Sequence, residues 1–338
     1  MDILLTGAAG LIGGEVARRL VARGHRVTAG VHRNRTILGN DGSEVAVAGL
    51  LTIDLATPGL GLDDETRIAV ADAHDLIIHC AATVRFDLAE AEYRAVNVDG
   101  TAAVVELAQA RAIPLIHVST AYVCGNRDGA IGEDDPLPDD GFANGYEASK
   151  AAAEAVVAAS GLPYAIVRPS IVVGDYDSGA IRHFDTIYAA FKLIAEARVT
   201  RLPARAEATL DFVPIDHVAG GIVAIAEDMT RAAGGRYHLV SGRPIGVADW
   251  AAVIGSYPQF AAPTYVDPAA FDPATLPPLE RRLYTRVAGL YSSYFQRNPR
   301  FDDTRFRALT GVAAPPANPA FVARLIDHCI AAGFLSAT

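Results

Sequence analysis

The sequence predicts an α/β fold, a doubly wound parallel sheet with a smaller, mostly helical C-terminal lobe. Three observations predict it. The chain opens as strand, glycine-rich turn, helix and strand. Apolar runs then recur between helix-like stretches as far as Gly174, as in a parallel sheet covered on both faces. After Gly174 the alternation lapses, and aromatic residues collect at irregular spacing toward the C-terminus.

Each element follows in order. Asp2 to Thr6 is a short apolar run, ended by Gly7-Ala8-Ala9-Gly10-Leu11-Ile12-Gly13. Glu15 to Arg23 is helix-like and Gly24 ends it; a β-branched strand, His25 to His32, follows. Glycines at 7, 10 and 13 let the backbone turn tightly and approach a pyrophosphate, which then meets the free N–H groups of a helix N-terminus. The turn is therefore a candidate dinucleotide site. An NAD site normally carries Asp or Glu at the end of the second strand for the ribose 2′-hydroxyl. Here the strand ends Gly30-Val31-His32-Arg33-Asn34-Arg35, with no acid. Arg33 or Arg35 can pair a 2′-phosphate bidentately, so the expected cofactor is NADP(H). Leu51 to Leu55 ends a third strand; Asp54 there either meets the adenine amine or caps a helix.

Leu76 to Cys80 is the fourth strand, running into Ala81-Ala82-Thr83, whose small residues let a cofactor pass close above the sheet. His79 and Cys80 read as core. A long helix spans about Ala89 to Arg111. The fifth strand, Ile113 to Val118, ends in Ser119-Thr120, at the carboxyl edge where open α/β sheets bind ligands. Asn126 to Gly145, rich in Asp, Gly and Pro, reads as a long loop able to border the site. Cys124 lacks a basic neighbour and reads as packing.

Tyr146-Glu147-Ala148-Ser149-Lys150 opens the next helix, which runs to Ser160. Tyr146 and Lys150 are four apart and share a face. An ammonium beside a phenol favours the phenolate and lowers its pKa, so this tyrosine is expected to exchange a proton near neutral pH. With that pair downstream, Thr120 becomes a carbonyl-polarising partner. A sixth strand, Tyr164 to Arg168, meets Pro169-Ser170-Ile171. Beyond it, Arg182 to Arg198 reads as helix and Thr209 to Ile215 as strand. Asp216 reads as a helix N-cap, and Arg236 to Val240 as a late strand of the main sheet. The expected boundaries are 1–175 for a Rossmann-type NADP-binding domain, completed by about 209–245, with 176–208 and 246–338 as a substrate-binding lobe. Tyr284, Tyr291, Tyr294, Phe295, Phe301 and Phe306 either form that lobe's own core or line an apolar pocket.

Composition bounds the function. The chain has 338 residues, 51% of them hydrophobic, and a net charge of −10 with no lysine or arginine run, which argues against a nucleic-acid partner. Three scattered cysteines suggest neither a disulfide framework nor a metal site. No charged leader opens the sequence, and no apolar run reaches the about 18 residues of a membrane span. A cytoplasmic protein is the expectation.

Together, Thr6-Gly7-Ala8-Ala9-Gly10-Leu11-Ile12-Gly13, Ser119-Thr120 and Tyr146 to Lys150 resemble the extended short-chain dehydrogenase/reductase family, over roughly the first 245 residues. The resemblance implies that Thr120 hydrogen-bonds the substrate carbonyl, Tyr146 is the proton donor, and Lys150 holds the nicotinamide ribose and tunes Tyr146. It implies that Asn97 steadies the lysine through water. Gly7, Ala9, Gly10, Leu11, Ile12, Gly13, Arg33, Asp54, Leu55, Ala81, Ala82, Thr83, Ser119, Pro169, Ser170 and Ile171 are its further cofactor contacts. His79 to Phe86, Asn97-Val98-Asp99-Gly100-Thr101, Ser119 to Val123 and Arg168-Pro169-Ser170-Ile171-Val172 are similar to the male-sterility branch, which holds fatty acyl-CoA reductases and thioester-reductase domains. The implied activity is NADPH-dependent reduction of an acyl thioester, on coenzyme A or an acyl carrier protein, to the aldehyde. The glycine turn departs from the branch's GATGFLG, and the Gly-Trp segment of acyl-CoA reductases is missing. Alternatives are a ketone or sterol-type reductase and a sugar-nucleotide epimerase or dehydratase, for which Arg201, Arg205 and Arg243 could hold a second pyrophosphate. A non-catalytic NADP sensor would not need both Tyr146 and Lys150. The family also implies a homodimer through helices around Ala102 and Ala152.

Overall fold

Seven parallel strands carry the molecule. The structure is a computed structural model that describes residues 1–184 and 186–337. The strands are β1 (Asp2–Thr6), β2 (Arg26–Val31), β3 (Gly49–Thr52), β4 (Leu76–His79), β5 (Leu115–Val118), β6 (Tyr164–Pro169) and β7 (Gly235–Leu239). Their order across the sheet is β7-β6-β5-β4-β1-β2-β3. Strand order therefore reverses between β1 and β4, which pair in the register Ile3 to Leu76 and Thr6 to His79. That reversal opens a crevice at the carboxyl edge, the place where ligands bind in such sheets.

The apolar runs form strands because both faces of the sheet are covered. Ile3, Leu5, Val27, Ile78 and Val167 face a core shared with the helices α1 (Leu11–Ala22) and α6 (Ile215–Glu227). Leu4, Ile77, Leu115 and Ile166 face a second core with Val104 and Leu107 of α3 (Gly100–Gln109) and Val157 of α4 (Gly145–Ala158). Between these, α2 (Asp64–Asp72) is capped by Asp63, whose side chain accepts from the Thr66 N–H. A buried ion pair locks α4 to the sheet. Arg168 of β6 grips Glu154 with Nε at 2.9 Å and Nη2 at 2.7 Å.

Several boundaries differ from the sequence reading. The first helix begins at Leu11, because Gly13 and Gly14 belong to it. The stretch read as one helix from Ala89 breaks into Glu90–Tyr93, a wide π turn at Arg94–Asp99, and α3. The strand read at 209–215 divides into Thr209–Leu210 and Phe212–Pro214, which pair outside the main sheet. The N-cap of α6 is Pro214; Asp216 sits in its first turn and accepts the Tyr176 N–H at 2.9 Å. The helix expected from Arg182 to Arg198 takes in residue 185, outside the described residues; it is α5, Thr186–Ala195.

The helices α5, α7 (Val247–Gly255), α8 (Pro278–Arg286) and α10 (Pro319–Ala331) surround a third, aromatic-rich core with Trp250, Tyr284, Phe295 and Phe321, whereas α9 (Thr304–Thr310) packs on β7 and α6. The tail also returns to the sheet side: Pro299–Phe301 pairs with Gly129–Ile131, and Phe306 is buried in the core beneath α6. Among the described residues no helix is long and apolar enough to cross a membrane.

Candidate active site

Two adjoining cavities form a trough along the carboxyl edge. One, of about 540 Å³, is bounded by Ala9, Arg33, Asp54, Leu55 and Ala81. The other, of about 320 Å³, is bounded by Leu11, Ile12, Gly13, Ser119, Thr120, Tyr146, Pro169, Ser170 and Ile171. Gly7, Gly10, Cys80 and Ala82 line both, so the glycine turn is the shared floor.

The turn has the shape a pyrophosphate requires. Gly7 has φ +70°, and a Cβ there would lie 2.6 Å from the Ala81 nitrogen; on Gly13 it would lie 2.2 Å from the Gly7 carbonyl oxygen. Only hydrogen fits at both. Gly10 caps α1 with no side-chain bond and the first turn holds no acid, so its N–H groups face the trough at the positive end of the helix dipole. Ser119 Oγ is buried, with no partner among the described residues. These features fit a dinucleotide.

At the adenosine end the structure separates two arginines. Arg33 is exposed and lines the trough. Arg35 instead donates to Thr52 Oγ1 at 2.9 Å. Asp54 lines the trough, and its carboxylate accepts from Ala56 N at 3.0 Å and Thr57 Oγ1 at 3.1 Å, which fixes the turn after β3; it does not cap a helix.

The reacting end is built by β5, α4 and the turn after β6. Thr120 caps a short 3-10 turn, Ala121–Cys124, and its hydroxyl donates to the Pro169 carbonyl at 3.3 Å. The half-buried Tyr146 phenol stands near it, and the Thr120 hydroxyl pulls the phenol's pKa down against burial. Both side chains line the same cavity. Phe86 stacks on Tyr146 with ring centres 5.5 Å apart.

Lys150 departs from expectation. Its ammonium donates to the Val118 carbonyl at 2.7 Å and lies 3.2 Å from His117 Nε2, beneath β5. Burial pulls its pKa down to about 8. The phenol is not acidified: burial pushes the Tyr146 pKa above its ordinary value, Glu147 adds to this, and only the nearby Thr120 hydroxyl opposes it. Tyr146 is a neutral, proton-bearing group here. The lowering expected from Lys150 does not occur because the amine's bonds go to the strand.

Asn97 and Thr83 also take other roles. Asn97, in the π turn, accepts from Thr83 N at 2.8 Å and donates to Ser149 Oγ at 2.9 Å. It pins the segment after β4 to α4. Neither it, Thr83 nor Lys150 lines the trough. The Ser170 hydroxyl turns away to Asp211 at 2.6 Å. Cys80 packs against the core and also lines the trough, and burial raises its thiol to about 12; His79 is core, between Thr6 and Thr101. Cys124 is buried packing, its thiol raised by burial to about 11. The Asp-rich loop at 126–145 lines neither cavity, and Asp128 within it is held by Arg205 at 2.7 Å.

Phe86 and Ile187, which sequence reading left without a site role, wall the trough together with Tyr291 and Tyr294. Tyr291 and Tyr294 are also core, so both readings of the aromatic tail hold. Arg297, buried against Glu147 at 2.8 Å, carried no signal beyond standing among aromatics.

Fold and trough together define an NAD(P)-binding oxidoreductase of the extended short-chain dehydrogenase/reductase type. Within that class the chain belongs to the male sterility protein family, whose model matches residues 46–222. Relatives include the hybrid PKS-NRPS synthetase pydA of an Acremonium species, 31% identical over 65% of this chain and 5% of that protein. The isonitrile lipopeptide synthase of Streptomyces coeruleorubidus is 26% identical over 99% of this chain and 25% of its own length. The chain thus spans only a small part of these synthetases. The terminal R domain from the myxalamid PKS-NRPS biosynthetic pathway has a similar structure, with TM-score 0.82, 25% identity, and coverage of 99% of this chain and 92% of that one.

Proposed function

We propose that the chain reduces an acyl thioester, carried on a phosphopantetheine arm, to the aldehyde, with NADPH as reductant. The observation that carries this is that Thr120 and Tyr146 line one trough, floored by the glycine turn. Gly7, Gly10, Gly13 and the α1 N-terminus would hold the pyrophosphate, and Arg33 the 2′-phosphate. A reduced nicotinamide, when bound, supplies hydride.

The chain's own groups do the rest. Thr120 and Tyr146 would hold the thioester oxygen as charge develops on it, a contribution of about 3 kcal/mol per donor. Tyr146, neutral by burial, gives that oxygen its proton. When the carbon–sulfur bond breaks, the carbonyl re-forms as aldehyde, its proton passes to the departing sulfur to give the free thiol, and Tyr146 would regain a proton from solvent. Lys150, by gripping the Val118 carbonyl, fixes the strand end that presents Ser119 and Thr120.

The arginines suggested for a sugar nucleotide's second pyrophosphate stand elsewhere. Arg205 is paired with Asp128 at 2.7 Å and Glu207 at 2.5 Å, and neither it, Arg201 nor Arg243 lines the trough. The deciding experiment follows oxidation of NADPH and NADH against acyl-CoAs, an acyl carrier protein, ketones and nucleotide sugars. Thioesters with NADPH should be turned over fastest. Tyr146→Phe should lower turnover by roughly 10²–10⁴-fold while NADPH still binds. Near wild-type turnover in that variant would remove Tyr146 from the chemistry.

A further inference from the structure

Behind the trough lies a second hollow that the reaction does not use. It is a narrow cavity of about 40 Å³ between α5, α7 and α10, lined wholly by apolar side chains and aromatic rings, among them Phe191, Leu210, Trp250, Phe295 and Leu325. Its one phenolic neighbour, Tyr188, has its hydroxyl bonded by the Gly174 N–H at 2.9 Å. Ile187 lines both this cavity and the trough that holds Thr120 and Tyr146.

Interiors are close-packed, and a hole costs stability in proportion to its size. An apolar hole stays dry, and it penalises any occupant that buries an unpaired amide or hydroxyl. A peptidyl end or a sugar is therefore a poor occupant, whereas a hydrocarbon chain loses nothing there. From the arrangement we infer that this cavity receives the far end of the substrate, an unbranched aliphatic acyl tail that passes Ile187 while its carbonyl stands at Thr120 and Tyr146. The inference rests on the reductase reading for the carbonyl's position, but the tail site has its own readout.

Trp250, the only tryptophan in the chain, lines the cavity with Phe191 and Phe295 at ring distances of 5.9 Å and 5.4 Å. Its emission therefore reports occupancy without turnover. The test titrates the protein with S-acetyl, S-butyryl, S-octanoyl and S-dodecanoyl N-acetylcysteamine, and with a glutaryl thioester bearing a charged end. Octanoyl should change Trp250 emission saturably and acetyl should not. Affinity should rise about fourfold per methylene, the equivalent of ~0.8 kcal/mol per buried CH₂, until the cavity is full.

Ala190→Phe, which places a ring in the hollow, should weaken octanoyl binding at least tenfold. Val322→Ala, which widens it, should move the preference to longer chains. Thermal melts establish that each variant folds, and Val322→Ala decides if Ala190→Phe does not. Equal binding of acetyl, octanoyl and glutaryl thioesters, or an unaltered chain-length profile in a folded variant, overturns the inference. Chain-length-dependent emission without cofactor oxidation would leave the tail site standing and remove the reductase reading.

Discussion

Lys150 shows how a residue legible as a motif behaves differently once folded. Its spacing from Tyr146 is visible in sequence, but the destination of its hydrogen bonds depends on β5 lying under α4, which no local pattern encodes. His117 and the Val118 carbonyl receive the amine, and burial lowers its pKa from an ordinary 10.5 to about 8. The unfolded chain therefore binds one more proton than the folded chain between these values. Stability contributed by this group is least below pH 8 and rises with pH through the window. Replacing it by methionine removes the titration. In urea unfolding without cofactor, the wild type should gain on Lys150→Met by on the order of 3 kcal/mol from pH 8 to 10.5. A pH-independent difference would show that the amine is not strained by burial. The position of Thr120 beside the trough was legible for another reason: it follows β5 at the carboxyl edge of the sheet.

At the scale of elements, the strands of the main sheet were readable because continuous apolar runs suit burial on both faces. The π turn at Arg94–Asp99 was not, since the sequence around Asn97 is compatible with plain helix; within that turn Asn97 bonds Thr83 and Ser149. The start of α1 was misjudged because two glycines were counted against a helix. Gly13 is there for space, not freedom, its missing Cβ being replaced by the Gly7 carbonyl. Gly13→Ala must push the turn away from α1 and so displace the N–H groups aimed at the trough. NADPH affinity should fall at least tenfold, about 1.4 kcal/mol or more, read by cofactor titration of the folded variant. Unchanged affinity would mean that the pyrophosphate is held elsewhere.

For the whole molecule, the joint between the tail and the sheet was beyond sequence reasoning. Arg297 lies 150 residues from Glu147, and its pairing follows only from the tail crossing back over α4. The pair is fully enclosed: Glu147 is 0% exposed and Arg297 4%. The guanidinium donates to Glu147 at 2.8 and 3.1 Å and to the Gly125 carbonyl at 3.2 Å. It stacks over Tyr122 at 4.9 Å and Tyr294 at 5.4 Å. Tyr294 walls the trough and Glu147 adjoins Tyr146, so one ion pair holds the aromatic wall against the helix that bears Tyr146. Arg297→Met would strand a buried carboxylate, at a cost of about 3–5 kcal/mol. Glu147→Gln would strand the guanidinium. The double variant has neither charge, and it should recover part of the loss, giving a coupling of roughly 0.5–3 kcal/mol in a urea-unfolding cycle. It should still turn over slowly, because stability can return through packing while the wall's position against Tyr146 depends on the pair. Additive single losses would mean the charges are held by their other partners, and turnover recovering in step with stability would mean the wall needs no such tether.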